Sequence, residues 1–326
     1  MKKFLNIILL IIGLFLFYEL ISRVGLAGIA QALKSANLLF CAAGVFFYLI
    51  AVALRARKWL FWGKILKREL KYREILPFFL ANSLMGNLTP LKSGEAVTPF
   101  LFKKYFNVSV GRGFSLIILD RFSELAVFVC LLIGAACYLL WRGVSSHLVF
   151  TLFVIIFLTL FLIAFLLLGI VLFRGATLKF IHRMAGVRLL KKTSDFLEKE
   201  VLNLYEGIEL VRRERIYSRV ILFTALGWFF EFGASYSFLS SVSSLSLLDS
   251  ISAQVFAYVA TLVAFVPGGI GVSEISWVSL LNLMGYAKVQ TAAGVILARI
   301  FLTGTIILGG AVGFYFLKKR KKTISP

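Results

Sequence analysis

Long apolar runs recur along the 326-residue chain, separated by polar stretches rich in Lys and Arg. A helix needs about twenty consecutive apolar residues to cross a bilayer, whereas an outer-membrane strand shows alternation over about ten. The runs near 4–22, 37–54, 113–140, 148–173, 220–242 and 289–317 have the helical length and lack the alternation. The pattern therefore predicts about six full transmembrane helices. Two further apolar stretches, near 75–107 and 249–285, are interrupted. The first is broken at Pro90 and Gly94, the second at Pro267-Gly268-Gly269 and Gly271. Both read as re-entrant helical hairpins, because a full crossing by either would carry the flanking basic clusters to the wrong side.

The remaining segments are polar or mixed. Between Leu54 and Glu74, Arg55, Arg57, Lys58, Lys64, Lys67, Arg68, Lys71 and Arg73 stand on an aromatic and aliphatic background. This reads as a helix end at the cytoplasmic headgroup level, serving as a topological anchor. Residues 174–219 interleave charges with Phe196, Leu197, Val201, Leu204 and Ile208 at three- and four-residue steps, which predicts an amphipathic cytoplasmic helix. Composition fits this picture, with 60% hydrophobic and 16% charged residues and a mean hydropathy of +0.93. An ordinary soluble domain is excluded. The expectation is one integral, all-α polytopic membrane domain over 1–326, containing a first re-entrant unit plus helix at 74–140 and a second at 249–317.

Thirty-six Lys and Arg against fifteen Asp and Glu give a net charge of +21, a balance that in a soluble protein would suggest nucleic acid. Its distribution points elsewhere. With the N-terminus inside, 30 of the 36 basic residues fall on the cytoplasmic side, four outside (Arg23, Lys34, Arg142, Lys288) and two, Arg121 and Arg299, within spans. This predicts a multi-pass protein of the cytoplasmic membrane with both termini cytoplasmic and no nucleic-acid partner. On this topology the first hairpin starts from inside and the second from outside. Two broken units of opposite orientation are the signature of inverted repeats in transporters.

Each break is followed by matching charges. Glu95 precedes Arg121 by 26 positions, and Glu274 precedes Arg299 by 25. Both arginines lie about 12 to 15 Å inside their spans at 1.5 Å per residue, too deep for easy escape to the interface. They need partners. Glu95 and Glu274 are the candidates, within a unit or crosswise, with Asp120 and Glu124 a second choice for Arg121. Such pairs fix packing or mark a pathway for a charged substrate, and the residues alone leave both open. The half-helix N-termini at Ser93-Gly94-Glu95 and Val272-Ser273-Glu274 would offer N–H groups to an anion such as a phosphate, with Ser93 and Ser273 equally able to serve as N-caps. Glu231 is a further intramembrane carboxylate, open to an ion relay or a pair with a neighbouring Arg.

Nothing comparable suggests catalysis. Cys41, Cys130 and Cys137 have no metal-site spacing and read as packing residues, and His147 and His182 are isolated. The glycine-rich run at 267–271 has no nucleotide-loop context. No metal and no cofactor is expected.

At Pro90 to Glu95, Asp120-Arg121, Pro267 to Glu274 and Ala298-Arg299, the chain resembles the transmembrane domain family of lysylphosphatidylglycerol synthases, also described as flippase-like. The resemblance runs over essentially the whole chain. It implies movement of aminoacylated phospholipid between leaflets, with Glu95, Arg121, Glu274 and Arg299 at the matching positions. In multidomain members a C-terminal cytoplasmic domain attaches the lysine, and a stand-alone chain ending after its basic tail is expected to lack that activity. Relatives linked to polyprenyl-phosphate sugar and hopanoid pathways widen the implied substrates.

The expected function is translocation of an anionic or aminoacylated phospholipid, or of a polyprenyl-phosphate-linked lipid, and not catalysis. The alternative is a membrane subunit or partner of a lipid-modifying aminoacyl- or glycosyl-transferase. The expected partners are anionic lipid headgroups and, on the alternative, such a synthase. The candidate substrate-binding residues are Arg121, Arg299, Glu95, Glu274, Ser93, Ser273, Gly94, Pro90, Pro267, Gly268, Gly269, Gly271, Asp120 and Glu124. The lipid, the direction of movement, any coupling ion and the oligomeric state are left open.

Overall fold

The computed structural model describes residues 15–22, 25–64, 66, 69–144, 216–264 and 266–324, together with scattered positions between 175 and 209. The expected span at 148–173, most of the amphipathic segment at 174–219, His147 and His182 lie outside the described residues. Regular structure among the described residues is entirely helical: α1 (Leu26–Lys34), α2 (Leu38–Phe61), α3 (Tyr72–Asn87), α4 (Thr98–Phe106), α5 (Val110–Trp141), α6 (Ile216–Ser240), α7 (Leu247–Ala264), α8 (Val272–Leu283) and α9 (Lys288–Ile324), with short 3₁₀ turns between them. The chain is thus an all-α polytopic membrane protein. By length and composition α2, α5, α6 and α9 can cross a bilayer, and Phe15–Ser22 with α1, meeting at 79°, gives up to one more crossing among the described residues.

The two interrupted stretches fold as two helices flanking a break, α3–α4 around Pro90–Val97 and α7–α8 around Pro267–Gly269. Each unit's hairpin packs onto the final helix of the other unit. Helix α3 runs along α9, and α7 packs on α5. The α3–α9 contact is close because small residues permit it. A Cβ added to Gly313 would lie 2.4 Å from the Pro77 carbonyl oxygen, and one added to Gly310 would lie 2.4 Å from Leu84 Cβ. Helices α2 and α6 form the other long contact, where Gly44 admits the Phe238 ring.

Aromatic side chains close the end of the first hairpin. Trp59, Phe78, Phe102 and Phe106 are buried together, with the Phe78 and Phe102 ring centroids 4.5 Å apart, so α2, α3 and α4 share one core. Helix α2 starts where Asn37 Oδ1 accepts the Leu39 N–H at 2.9 Å, and α4 stops at Asn107, whose φ of 53° suits an asparagine in the left-handed region. Of the cysteines expected to pack internally, Cys41 is buried while Cys130 and Cys137 are exposed on α5. On a membrane helix such apolar-tolerant positions can face lipid.

The segment read as a headgroup-level anchor differs most. Positions 41, 44, 48, 51, 58 and 62 of α2 and the turn after it are buried, and the same heptad spacing includes Arg55. Lys58 is 1% exposed. Two of the basic residues counted as cytoplasmic therefore belong to the protein interior.

Candidate functional site

The first break is built by hydrogen bonds that replace the lost helical ladder. Thr89 Oγ1 donates to the Gly86 carbonyl at 3.0 Å and accepts the Gly94 N–H at 2.6 Å, while the Thr98 hydroxyl donates to Asn82 Oδ1. Gly94 is required by space, since a Cβ there would lie 2.2 Å from the Met85 carbonyl oxygen. The turn carries Glu95 over Gly86, from where its carboxylate lies 3.3 Å from Arg121 Nη2 on α5.

The second break turns on glycine. Gly268, Gly269 and Gly271 have φ of 61°, 67° and 81°, which side-chain-bearing residues rarely adopt. Helix α8 follows with Gly271 as its N-cap residue, and Glu274 Oε2 accepts the Gly271 N–H at 2.7 Å. Glu274 Oε1 lies 2.8 Å from Arg299 Nε on α9, and Arg299 Nη2 donates to the Gly268 carbonyl. Glu274 thus ties a helix start to an arginine.

The breaks meet one another. A Cβ added to Gly268 would stand 3.2 Å from the Asn87 carbonyl oxygen and 3.8 Å from Arg299 Nη2. Both arginines remain partly open beside this contact, with side-chain exposures of 41% for Arg121 and 32% for Arg299. Arg121 Nε has no partner. A guanidinium offers five donors in a planar fork, and neither arginine has all of them engaged by its carboxylate.

The pairing expected crosswise or within a unit is within a unit: Glu95 with Arg121, Glu274 with Arg299. Asp120 joins Arg121 at 3.3 Å, but Glu124 takes another partner. Lys58 Nζ lies 2.6 Å from Glu124 and 2.9 Å from Asp120, a buried cluster that Trp62 Nε1 completes by donating to Asp120 at 3.0 Å. Trp228 Nε1 donates to Glu124 Oε2 at 2.9 Å, and the Arg55 guanidinium sits 5.1 Å from the Trp228 ring centroid. Arg55 in turn pairs with Glu231 at 2.5 Å, and the Tyr258 hydroxyl donates to the same carboxylate. A continuous chain of charged and aromatic groups therefore runs from Glu95 in one unit to Tyr258 in the other.

Tyr258 lines a small cavity with Gln254, Ser273, Glu274, Trp277 and Arg299, of about 60 Å³. That is room for a few waters or one small polar group. Ser273, an N-cap candidate, lines the cavity while Gly271 holds the N-cap position. The first unit departs further from expectation. Past Gly94 the chain continues in 3₁₀ turns to Val97, and the α-helix begins at Thr98, so Glu95 opens no α-helix. At the start of α8 the Gly271 N–H is held by Glu274. Pro90 and Pro267 start their 3₁₀ turns, where a missing N–H costs least. The Ser93 side chain lies outside the described ones.

Two groups escaped the sequence reading. Arg55 and Lys58 belong to the interior network, and the signal for them was the heptad spacing shared with Tyr48, Ala51 and Trp62. Asp249 was also passed over. It is fully buried and receives the Tyr138 hydroxyl at 3.0 Å, the Tyr286 hydroxyl at 2.6 Å and Arg142 Nε at 3.0 Å, joining the end of α5 to α7 and to the α8–α9 turn. Burial and the Asp249 carboxylate together raise the Tyr286 phenol above its ordinary range, keeping it a donor. Among the described residues no group of three or more His, Cys, Asp or Glu is placed to hold a metal.

Interrupted helix pairs packed on spanning helices, with paired charges at both breaks, define a polytopic helical membrane protein. Over residues 5–310 the chain matches the family described as "Lysylphosphatidylglycerol synthase TM region", and it belongs to that family. It is similar to a UPF0104 membrane protein of Pyrococcus horikoshii, 25% identical over 100% of this chain and 99% of that one. A UPF0104 membrane protein of Methanocaldococcus jannaschii is 24% identical over 72% of this chain and 94% of its own, and one of Methanothermobacter thermautotrophicus is 23% identical over 90% of each. The protein is thus a lipid-related multi-pass membrane protein by family.

Proposed function

We propose that this protein is a lipid transporter of flippase type in the cytoplasmic membrane, with both termini cytoplasmic, moving an anionic or aminoacylated phospholipid or a polyprenyl-phosphate-linked lipid. The observation that carries the reading is the contact of the two breaks beside two partly open arginines, Arg121 and Arg299. Helix interruptions survive at membrane depth only where they are covered or line a polar path, and intramembrane arginines favour a phosphate. Glu95 and Glu274 hold the guanidiniums while no headgroup competes for them. The breaks in contact describe a closed path, and separating them would expose Arg121 and Arg299 to one face or the other. On this reading the chain binds and moves lipid without altering it.

The experiment is reconstitution into liposomes with a labelled anionic phospholipid, following its appearance in the opposite leaflet. The wild type should accelerate exchange over protein-free vesicles, and a folded Arg121→Ala, Arg299→Ala double variant should fall back toward the protein-free rate. Wild-type rates in that variant would refute the assignment of these residues. A chemically changed lipid after incubation with an aminoacyl or glycosyl donor would refute transport without chemistry.

A further inference from the structure

Arg121 and Arg299 follow their breaks at like positions but keep different company. Arg299 meets one carboxylate, Glu274, and otherwise the neutral Gly268 carbonyl. Arg121 meets two, since Glu95 Oε2 and Asp120 Oδ2 each lie 3.3 Å from its Nη2. Two carboxylates closing fully on one guanidinium would leave a net negative charge there, and an approaching anion would be repelled. The first unit carries a counterweight that the second lacks.

The counterweight comes from α2 and the turn after it. Lys58 Nζ lies 2.9 Å from Asp120 Oδ1, nearer than Arg121 Nη2 is to Oδ2, and Trp62 Nε1 donates to the same Oδ1 at 3.0 Å. Asp120 therefore turns a single oxygen to Arg121, at a distance beyond the roughly 2.7–2.9 Å of a strong charge-assisted bond. Glu124, one turn further along α5, is held by Lys58 Nζ on Oε1 at 2.6 Å and by Trp228 Nε1 on Oε2 at 2.9 Å. Only Asp120 Oδ2 and Glu95 are left on Arg121, whose side chain stays partly open. Replacing a whole buried ion cluster by apolar side chains is often neutral, so stability alone does not account for a lysine that is 1% exposed in a spanning helix.

We propose that Lys58 and Trp62 are positioning residues for Arg121, holding Asp120 off its guanidinium and so keeping it open to an anion. The proposal rests on the reading of Arg121 as a residue that binds an anionic headgroup, and it names what controls its availability. Both residues are buried and touch no lipid headgroup themselves; they act through Asp120. Glu124 keeps the Trp228 donor when Lys58 is taken away, whereas Asp120 is already in contact with Arg121 and is the carboxylate released toward it.

The test treats the full chain in phosphatidylcholine bicelles with phenylglyoxal, which attacks open guanidines, and reads Arg121 and Arg299 by peptide mass spectrometry. Lys58→Met should slow labelling of Arg121 about tenfold, the factor that one charge-assisted hydrogen bond carries, and leave Arg299 near its wild-type rate. Trp62→Phe strands no charge, so it keeps the test open if the lysine variant does not fold, and it should slow Arg121 by about threefold, as loss of a neutral hydrogen bond does. Adding Asp120→Asn to Lys58→Met should restore the wild-type rate. An Arg121 that does not react in the wild type, an unchanged Arg121 rate in either folded single variant, equal slowing of Arg299, or no recovery in the double variant would each overturn the proposal. Retention of phosphatidylglycerol over phosphatidylcholine, read by native mass spectrometry, should fall in parallel with labelling. A wild type without that lipid preference would refute headgroup binding by Arg121, while the labelling pattern would still decide whether Lys58 and Trp62 control its guanidinium.

Discussion

Lys58 Nζ on α2 and Glu124 Oε1 on α5 lie 2.6 Å apart although 66 positions separate them in sequence. Asp120 shares the same ammonium at 2.9 Å. A lysine with two carboxylates in a nearly closed interior means that removing the cation strands two like charges. Lys58→Met should therefore destabilise by about 3–5 kcal/mol, as breaking a buried pair does. Lys103→Met, at an exposed site, should stay within about 0.5 kcal/mol. Thermal denaturation followed by size-exclusion chromatography in detergent would compare the two.

The breaks depend on two glycines for different reasons. Gly94→Ala would press a methyl on the Met85 carbonyl, and Gly269→Ala would combine a φ of 67° with Thr261 Cγ2 at 2.5 Å. Each should cost about 1–3 kcal/mol. Gly134→Ala, with nothing within 4 Å, should be neutral or slightly stabilising because alanine favours a helix. Chemical unfolding of the three variants under one condition provides the check.

Glu274 performs two tasks, and substitution separates them. Glu274→Gln keeps an oxygen for the Gly271 N–H and loses the charge facing Arg299, whereas Glu274→Ala loses both. The alanine variant should be less stable than the glutamine variant by about 1 kcal/mol, the usual worth of a helix-start contact. Both should bind anionic lipid more tightly than wild type if Glu274 competes with the headgroup for Arg299. Equal lipid retention in all three would remove that competition.

Arg299→Lys tests the fork geometry. An ammonium is a compact point charge and does not reproduce a planar contact reaching Glu274 and the Gly268 carbonyl together. Transport in reconstituted vesicles should fall at least tenfold while folding is kept, and a wild-type rate would show that charge alone suffices.

The Asp249 cluster should be sensitive at its centre and tolerant at its rim. Asp249→Ala frees two tyrosine hydroxyls and should cost about 1–3 kcal/mol. Arg142→Gln removes a solvent-accessible partner and should cost less than Asp249→Ala. Thermal midpoints of the two variants would order them.

Hydrophobic run length fixes which segments can lie in a bilayer, so the spans corresponding to α2, α5, α6 and α9 were legible in the sequence. Proline and glycine chemistry marked both breaks for an equally local reason, since a missing N–H and a positive φ are properties of single residues. The need of Arg121 and Arg299 for carboxylate partners also follows from depth alone.

What only tertiary structure decided was who meets whom. Glu95 and Glu274 each serve the arginine of their own unit because the break and the following long helix are held side by side, a distance no spacing encodes. Lys58 and Arg55 looked like headgroup anchors because hydropathy weighs a charge without its neighbours. They are interior because α5 and α6 bring Asp120, Glu124 and Glu231 against one face of α2, and Coulomb attraction at short range in a poorly solvated space offsets much of the cost of burial. Composition determines that this chain lives in a membrane. The packing of distant helices determines where its charges are held and which of their donors stay open.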